Sequence, residues 1–223
     1  MRELSILGPI WIDALCINQE DKQERQDQVG LMSRIYKGAQ RVIVWLGKDD
    51  EYTAPAIEYL KRSKCTPEGV YDDSGFDTKT YHEANFTDEE YDAIFCFLAY
   101  RRWFSRLWTI QETVLARDII FLCGRYEASL QTIYAGASAL RFRNARSGLN
   151  PEYEHISDQA EWAVSLFVVA NRRYEWQRDG AELESIGANA LGFSNFQATD
   201  LRDKVFGLIG ISRRCFSYLF PWV

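Results

Sequence analysis

Histidine is almost absent: the 223-residue chain has two, His82 and His155, and neither stands in an H-E-x-x-H or comparable metal pattern. A histidine-based triad is therefore not expected, and neither is a metal site. A G-x-S-x-G elbow, a Walker loop and a G-x-G-x-x-G turn are missing too, so the common nucleophile, phosphate and dinucleotide motifs are excluded. The five cysteines (Cys16, Cys65, Cys96, Cys123, Cys215) are odd in number and include no C-x-x-C pair. That argues against a disulfide framework and for a reducing compartment, the cytoplasm. No run approaches the roughly 18 apolar residues of a membrane span. Glu3 and Asp13 interrupt the apolar start and no small-residue cleavage site follows, so no signal peptide is expected. Basic excess is lacking as well: with a net charge of −6, the chain offers nucleic acid or anionic lipid no broad basic surface.

What the chain does have is apolar and aromatic mass. Hydrophobic residues make up 47% and aromatic residues 14%, with seven Trp, enough for a substantial core in which a few large side chains dominate. Ile10 to Leu15 is short, apolar and β-favouring, and is expected to be a buried strand with Asp13 at its carboxyl end. Glu20 to Ala39 sets Val29, Met32, Ile35 and Tyr36 at helical spacing, with Gln26, Gly30, Ser33 and Lys37 on the other side. Arg41 to Gly47 reads as a second strand. Strand, amphipathic helix and strand make a βαβ unit, which implies a parallel sheet with helices on its faces.

Further along, Lys64 to Phe86 carries no pattern and reads as an excursion loop, longer than most connections. Thr87 followed by Glu90 forms a capping box for a helix to about Tyr100. A second helix is expected from Arg101 to Ala116, a strand from Asp118 to Cys123, a helix from Ser129 to Arg141, and chiefly helix beyond Ser157. Ala198-Thr199-Asp200 supplies cap residues for a short apolar helix through Val205, Phe206, Leu208 and Ile209. Trp11, Trp45 and Trp103 are expected in the core.

Three segments carry a family resemblance: Trp11-Ile12-Asp13-Ala14-Leu15-Cys16-Ile17-Asn18-Gln19 with Val42-Ile43-Val44-Trp45-Leu46-Gly47; Arg102-Trp103-Phe104-Ser105-Arg106-Leu107-Trp108-Thr109-Ile110-Gln111-Glu112; and Arg202-Asp203-Lys204-Val205-Phe206-Gly207-Leu208-Ile209-Gly210. They resemble the HET (heterokaryon-incompatibility) domain of fungal incompatibility proteins. The resemblance implies an α/β fold, a three-layer, mostly parallel sheet with flanking helices like TIR or flavodoxin-like domains. On this reading residues 1–150 form the HET domain and 151–223 a helical extension. The family pattern usually opens with a Tyr-x-x-Leu-Ser-Tyr-x-Trp-Gly strand several tens of residues before Trp11. No such segment is present here, so a truncated sheet is expected.

For chemistry, the exclusions above leave a carboxylate. Glu112 lies four residues from Trp108 on a helix whose Leu107, Ile110 and Val114 form an apolar stripe. A carboxyl shielded from water has its pKa raised, while Arg102 or Arg106 nearby would lower it. Ser105-Arg106-Leu107-Trp108-Thr109-Ile110-Gln111-Glu112 is also similar to the Ser-x-x-Trp-Cys-x-x-Glu stretch of TIR domains, with Thr at position 109 in place of Cys. That similarity implies NAD as a substrate and Glu112 as the catalytic group, with Trp108 beside it as a substrate-binding residue; Asp13, at the carboxyl end of the first expected strand, where open α/β sheets place ligand-binding groups, is a second substrate-binding candidate. The alternative gives Glu112 a purely structural role, satisfied by an arginine or by backbone donors, and Asp13 the role of capping the turn that follows it. Enzymatic reading and death-signalling assembly module, self-associating or bound to an incompatibility partner, remain open alternatives, as does an inert remnant. The enzymatic reading requires the Glu112 carboxyl to open into a partly dry hollow instead of being held in an ion pair.

Overall fold

A computed structural model describes residues 8–62, 71–72, 75–76, 86–147, 184–212 and helical positions between 166 and 177. His82, His155 and most of the excursion loop lie outside the described residues. Within that loop the structure places two two-residue strands, β2 (Tyr71–Asp72) and β3 (Gly75–Phe76), paired antiparallel.

The first expected strand is not a strand. Asp13–Cys16 forms a single helical turn, α1, with the backbone N–H groups of Leu15 and Cys16 donating to the Ile12 carbonyl. Ile10, Ile12 and Leu15 are exposed. The physical reason is pairing: a strand needs a neighbouring ladder for its backbone groups, and among the described residues none lies beside this segment. The side chain of Asp13 instead accepts from the backbone N–H of Ala14 at 2.8 Å, and Gln19 Nε2 donates to the Asp13 carbonyl at 3.0 Å.

Helix α2 (Lys22–Gly38) forms where the periodicity places it. Its N-cap Asp21 accepts from the backbone N–H groups of Gln23 and Glu24, and Lys37 stands in the last turn. Strand β1 (Val42–Trp45) follows, and α3 (Thr53–Arg62) buries Ala56, Ile57 and Leu60. Helix α4 (Asp88–Ala99) opens with the full capping box, Thr87 and Glu90 each bonding the other's backbone. Strands β4 (Ile119–Cys123) and β5 (Tyr126–Ser129) lead into α6 (Leu130–Ser147).

The sheet has three described strands in the order β1-β4-β5. β1 and β4 are parallel, Val42 opposite Ile119, while β4 and β5 are antiparallel through the hairpin at Gly124-Arg125. The chain is thus mixed α/β, with one parallel pair. Trp45 departs from its expected core position. Along β1 the pleat sends Val42 and Val44 inward, and places Ile43 and Trp45 on the opposite face, where Trp45 is 60% exposed.

Apolar burial gathers in two bodies. One joins β1 and β4 to α3, α4 and α6, around Phe97, Phe104 and Phe121. The other sets Leu107, Ile110, Val114 and Leu115 against Val169, Phe193, Phe196, Leu208 and Ile211. The second is built from helix α5 (Thr109–Leu115), helical residues between 166 and 177, α7 (Ile186–Gly192) and α8 (Asp203–Ile209). Asp200 sits ahead of α8, accepting from the backbone N–H of Arg202, and Arg202 takes the N-cap position without a side-chain bond to the helix.

The expected single helix from Arg101 to Ala116 is broken in two. A 3-10 turn covers Arg102–Ser105, and α5 begins at Thr109. Gln197 causes the break: its N–H donates to the Ser105 carbonyl at 2.6 Å and its carbonyl accepts from the Leu107 N–H at 2.9 Å, a short parallel bridge centred on Arg106. Helical pairing of those groups is thereby replaced by a tertiary contact from a segment about ninety residues away.

Two stability predictions follow from these contacts. Gly124 has φ +54°, and a Cβ there would stand 1.9 Å from Asp49 Oδ1. Asp49 is exposed and can swing aside, so the backbone strain decides. Gly124→Ala should cost about 1–3 kcal/mol in denaturant unfolding, whereas Gly38→Ala, with nothing within 4 Å of the added Cβ, should be neutral or stabilising. Buried Arg173 donates to the carbonyls of Thr113, Ala116 and Arg117 at the end of α5. Arg173→Met leaves those carbonyls without that donor and should lower stability by about 1.5–3 kcal/mol; an unchanged unfolding midpoint would show that the guanidinium is not their partner.

Candidate functional site

The break between the 3-10 turn and α5 decides what surrounds Glu112. In one continuous helix, Trp103 and Glu112 would lie nine residues, about 13.5 Å, apart along the axis. With the chain bent at Arg106, Trp103 folds back and its Nε1 donates to Glu112 Oε2 at 3.0 Å. The indole is fixed by edge-on contacts with Phe104 and Phe121, at centroid distances of 5.3 and 5.1 Å. Its orientation is therefore set by the core and not by the carboxylate.

Tyr36, near the end of α2, is a second hydrogen-bonding neighbour of the carboxylate, and its ring meets Trp11 edge-on at 6.4 Å. Trp11 thereby lays the segment carrying Asp13 against α2. Burial pushes the Glu112 carboxyl above the ordinary carboxylate range. The Trp103 N–H and the charge of Arg106 pull it back, the charge of Asp13 pushes it further up, and Tyr36 favours the ionised form. Tyr36 in turn is pushed up, first by burial and then by the charges of Glu112 and Asp13, so its hydroxyl stays protonated and available as a donor. No salt bridge reaches Glu112 among the described residues.

The structure thus brings Asp13 and Glu112 into one electrostatic neighbourhood, with Asp13 exposed and Glu112 half-buried. Trp108 takes a different direction. Its Nε1 donates to Asp203 Oδ2 of α8 at 3.1 Å, so the indole bonded to Glu112 is that of Trp103. Of the two arginines weighed against Glu112, Arg106 is the one whose charge acts on it. Tyr36 and Trp103 escaped the sequence reading because both stood as core aromatics. The only signal for them was that each carries a polar tip which needs a partner when buried.

Arg101 is buried, pairs with Asp50 at 2.8 Å and donates to Thr53 Oγ1 at 3.0 Å. Its acid comes from the loop after β1. Among the described residues no group of three or more His, Cys, Asp or Glu could hold a metal ion, and no helix is long and apolar enough to cross a membrane.

A hollow of about 690 Å³ opens on the other side of α5, between α2 and α8. Gln111, the neighbour of Glu112, forms part of its lining, while Glu112 does not, so this hollow is not the one that the enzymatic reading requires at Glu112; the other requirement, freedom from an ion pair, holds among the described residues.

Comparison with known proteins places this arrangement. A family model described as heterokaryon incompatibility protein (HET) matches residues 1–112, half of the 223-residue chain. Heterokaryon incompatibility protein 6, OR allele, of Neurospora crassa is 29% identical over 237 residues, which cover 92% of this chain and 34% of that protein. The chain thus spans about a third of the length of the curated relative it matches. No solved structure matches. With the match extending over half the sequence, the chain belongs to the heterokaryon incompatibility (HET) family.

Proposed function

We propose that the chain acts in fungal heterokaryon incompatibility, as a cytoplasmic effector of programmed cell death, and that its chemistry is TIR-like cleavage of NAD at Glu112. The observation that carries this reading is a water-shielded carboxyl, held at 3.0 Å by a core-anchored indole N–H and free of salt bridges among the described residues. The parallel β1-β4 pair, with a helix after β1, is compatible with a TIR or flavodoxin-like sheet, although β4 turns directly into the antiparallel β5.

The reaction breaks the bond between the ribose anomeric carbon and the nicotinamide nitrogen. The bonding pair leaves with nicotinamide as a neutral base, and water adds to the anomeric carbon, giving ADP-ribose and a proton. Positive charge builds on the sugar in the transition state, and a fixed, ionised Glu112 stabilises it while orienting the ribose hydroxyls. The Trp103 N–H holds one carboxylate oxygen, and the ribose hydroxyls would share the remaining acceptor positions with the Tyr36 hydroxyl. Exposed Asp13 is placed to accept a further hydroxyl. Trp108, its N–H already given to Asp203, has only its ring face to offer the substrate.

A second reading, assembly with another copy or a partner protein, is favoured by one observation. Among the described residues β1 pairs on one side only, and Ile43 and Trp45 are exposed on it.

The readings separate on Glu112→Gln, which keeps size and an acceptor for Trp103 but removes the charge. NAD consumption by the purified chain should fall at least about a hundredfold, with folding intact by circular dichroism. Cell killing that persists in Glu112→Gln, and fails in Trp45→Asp, would instead favour assembly. Because the ionised form does the work, wild-type NAD cleavage should rise with pH through a value above the ordinary carboxylate range.

The same carboxyl makes a stability prediction that needs no substrate. A carboxyl that holds its proton more tightly folded than unfolded binds more protons in the native state between its two pKa values. Stability is then fully present below the unfolded value and declines as pH rises through the folded one. Wild type should lose thermal stability relative to Glu112→Gln across that window. Parallel profiles would mean the carboxyl is as well solvated as in the unfolded chain.

A further inference from the structure

We infer that the hollow between α2 and α8 is a second ligand site, separate from Glu112, shaped for a purine mononucleotide. Its volume of about 690 Å³ lies within the ordinary range for small-molecule pockets. Three features give it a chemical character.

The first is a notch. Gly30 stands in the middle of α2 and in the wall of the hollow, and a Cβ added there would meet nothing within 4 Å. A glycine inside a helix costs roughly 0.5–1 kcal/mol relative to alanine. No neighbouring atom requires that cost, so packing within the chain does not explain the residue. The bare backbone leaves room for a flat group, and Phe206, 41% exposed on the facing helix, supplies a ring for it to stack against.

The second is charge at one end. Lys22 and Arg25 line the hollow from the first turns of α2 and make no salt bridge among the described residues. The acids beside them are already engaged: Asp200 is gripped by Arg202 through Nε and Nη2, and Asp203 accepts from Trp108. Arg25 also lies in the field of Asp200, and the indole bond brings no charge to offset Asp203, so Lys22, Arg25 and Arg202 outnumber the two acids by one cation, which is left for a phosphate. From Arg25 to Gly30 is five residues of helix, about 7.5 Å, which suits the reach from the phosphate of a mononucleotide to its base.

The third is the floor. Gln111 is 2% exposed; its Nε2 donates to the Phe206 carbonyl at 3.1 Å, which fixes the amide's orientation, and its Oε1 has no donor. A buried amide oxygen in that state calls for an N–H group, such as the exocyclic amine of adenine. Gly210 presses closely over it, since a Cβ there would lie 2.8 Å from Gln111 Oε1 and 2.6 Å from Ser33 Cβ, so α8 must give slightly for the amine to reach the oxygen.

Isothermal titration of the full chain with AMP, adenosine and orthophosphate tests the site. AMP should saturate, and adenosine and orthophosphate should each bind at least about tenfold more weakly. Gly30→Leu fills the notch while raising helix propensity, so it should abolish AMP binding without lowering the unfolding temperature. Arg25→Glu should weaken AMP at least about tenfold and flatten its salt dependence. Glu112→Gln should leave AMP binding unchanged, whatever becomes of NAD cleavage. The inference is overturned if AMP shows no saturation at millimolar concentration, if orthophosphate matches AMP, if Gly30→Leu binds as wild type does, or if Glu112→Gln removes the binding.

Discussion

The bridge between Gln197 and Arg106 is the constraint on which the rest of the molecule depends. Left to its own preferences, the run from Arg101 to Leu115 would continue as one helix, with its arginines, tryptophans and Glu112 distributed along a rod. By taking the Ser105 carbonyl and the Leu107 N–H, the segment before α8 stops the first turn and restarts the helix at a new angle. Trp103 can then pack with Phe104 and Phe121 in one apolar body while Ile110 and Val114 enter the other. Glu112 lies where the two bodies meet. A carboxyl at such a junction is desolvated from two sides, which is why burial is the largest influence on its proton affinity.

Charge inside this protein is handled in three different ways, and the contrast bears on function. Arg101 is buried with a carboxylate partner, a hydroxyl and a thiol around it, and so acts as a tie between β4, α3 and the loop after β1. Arg173 is buried against backbone carbonyls at the end of α5, where a cation also suits the helix dipole. Glu112 has neither solution. It receives one indole N–H and the neighbourhood of a phenol, too little to offset its desolvation, and a like charge at Asp13 adds to the cost. A group left in that condition contributes little to stability in its ionised form.

The helices of this fold were legible where a local rule was strong. The Thr87–Glu90 capping box and the Val29, Met32, Ile35, Tyr36 periodicity of α2 are short-range signals, and the structure honours both. β1 and β4 were legible as apolar runs, but the parallel pair they form is not the βαβ unit expected between Ile10 and Gly47, whose first strand is a helical turn. What failed was everything decided by a distant partner. Ile10 to Leu15 has strand composition but no ladder beside it among the described residues, and β5 is too short and mixed to announce itself without β4 opposite. The break at Arg106 depends on Gln197, invisible at a separation of ninety-one residues. The candidate site was half legible for the same reason. Glu112 could be singled out by elimination and by its apolar helix, but Trp103 could be placed on it only after the chain was bent.

Helix α2 connects the two chemical features. Lys22, Arg25, Gln26, Val29, Gly30 and Ser33 stand at i, i+3, i+4, i+7, i+8 and i+11, the spacing of a single helix face, and that face is part of the wall of the hollow. Tyr36 continues the same stripe by three residues, to the point where it meets Glu112. Gln26, Gly30 and Ser33, which read as the polar side of the helix, therefore share the face toward α5 and α8 with Val29 and Tyr36, which read as its apolar side. Small and polar residues in that position keep the interface from closing into a dry core. Filling it with Leu or Ile at Gly30, Ser33 and Gln26 would bury more apolar area at about 25 cal/mol per Å² and give a tighter α2. That the sequence forgoes this stabilisation along the whole stripe is the strongest argument that the face is kept for ligands.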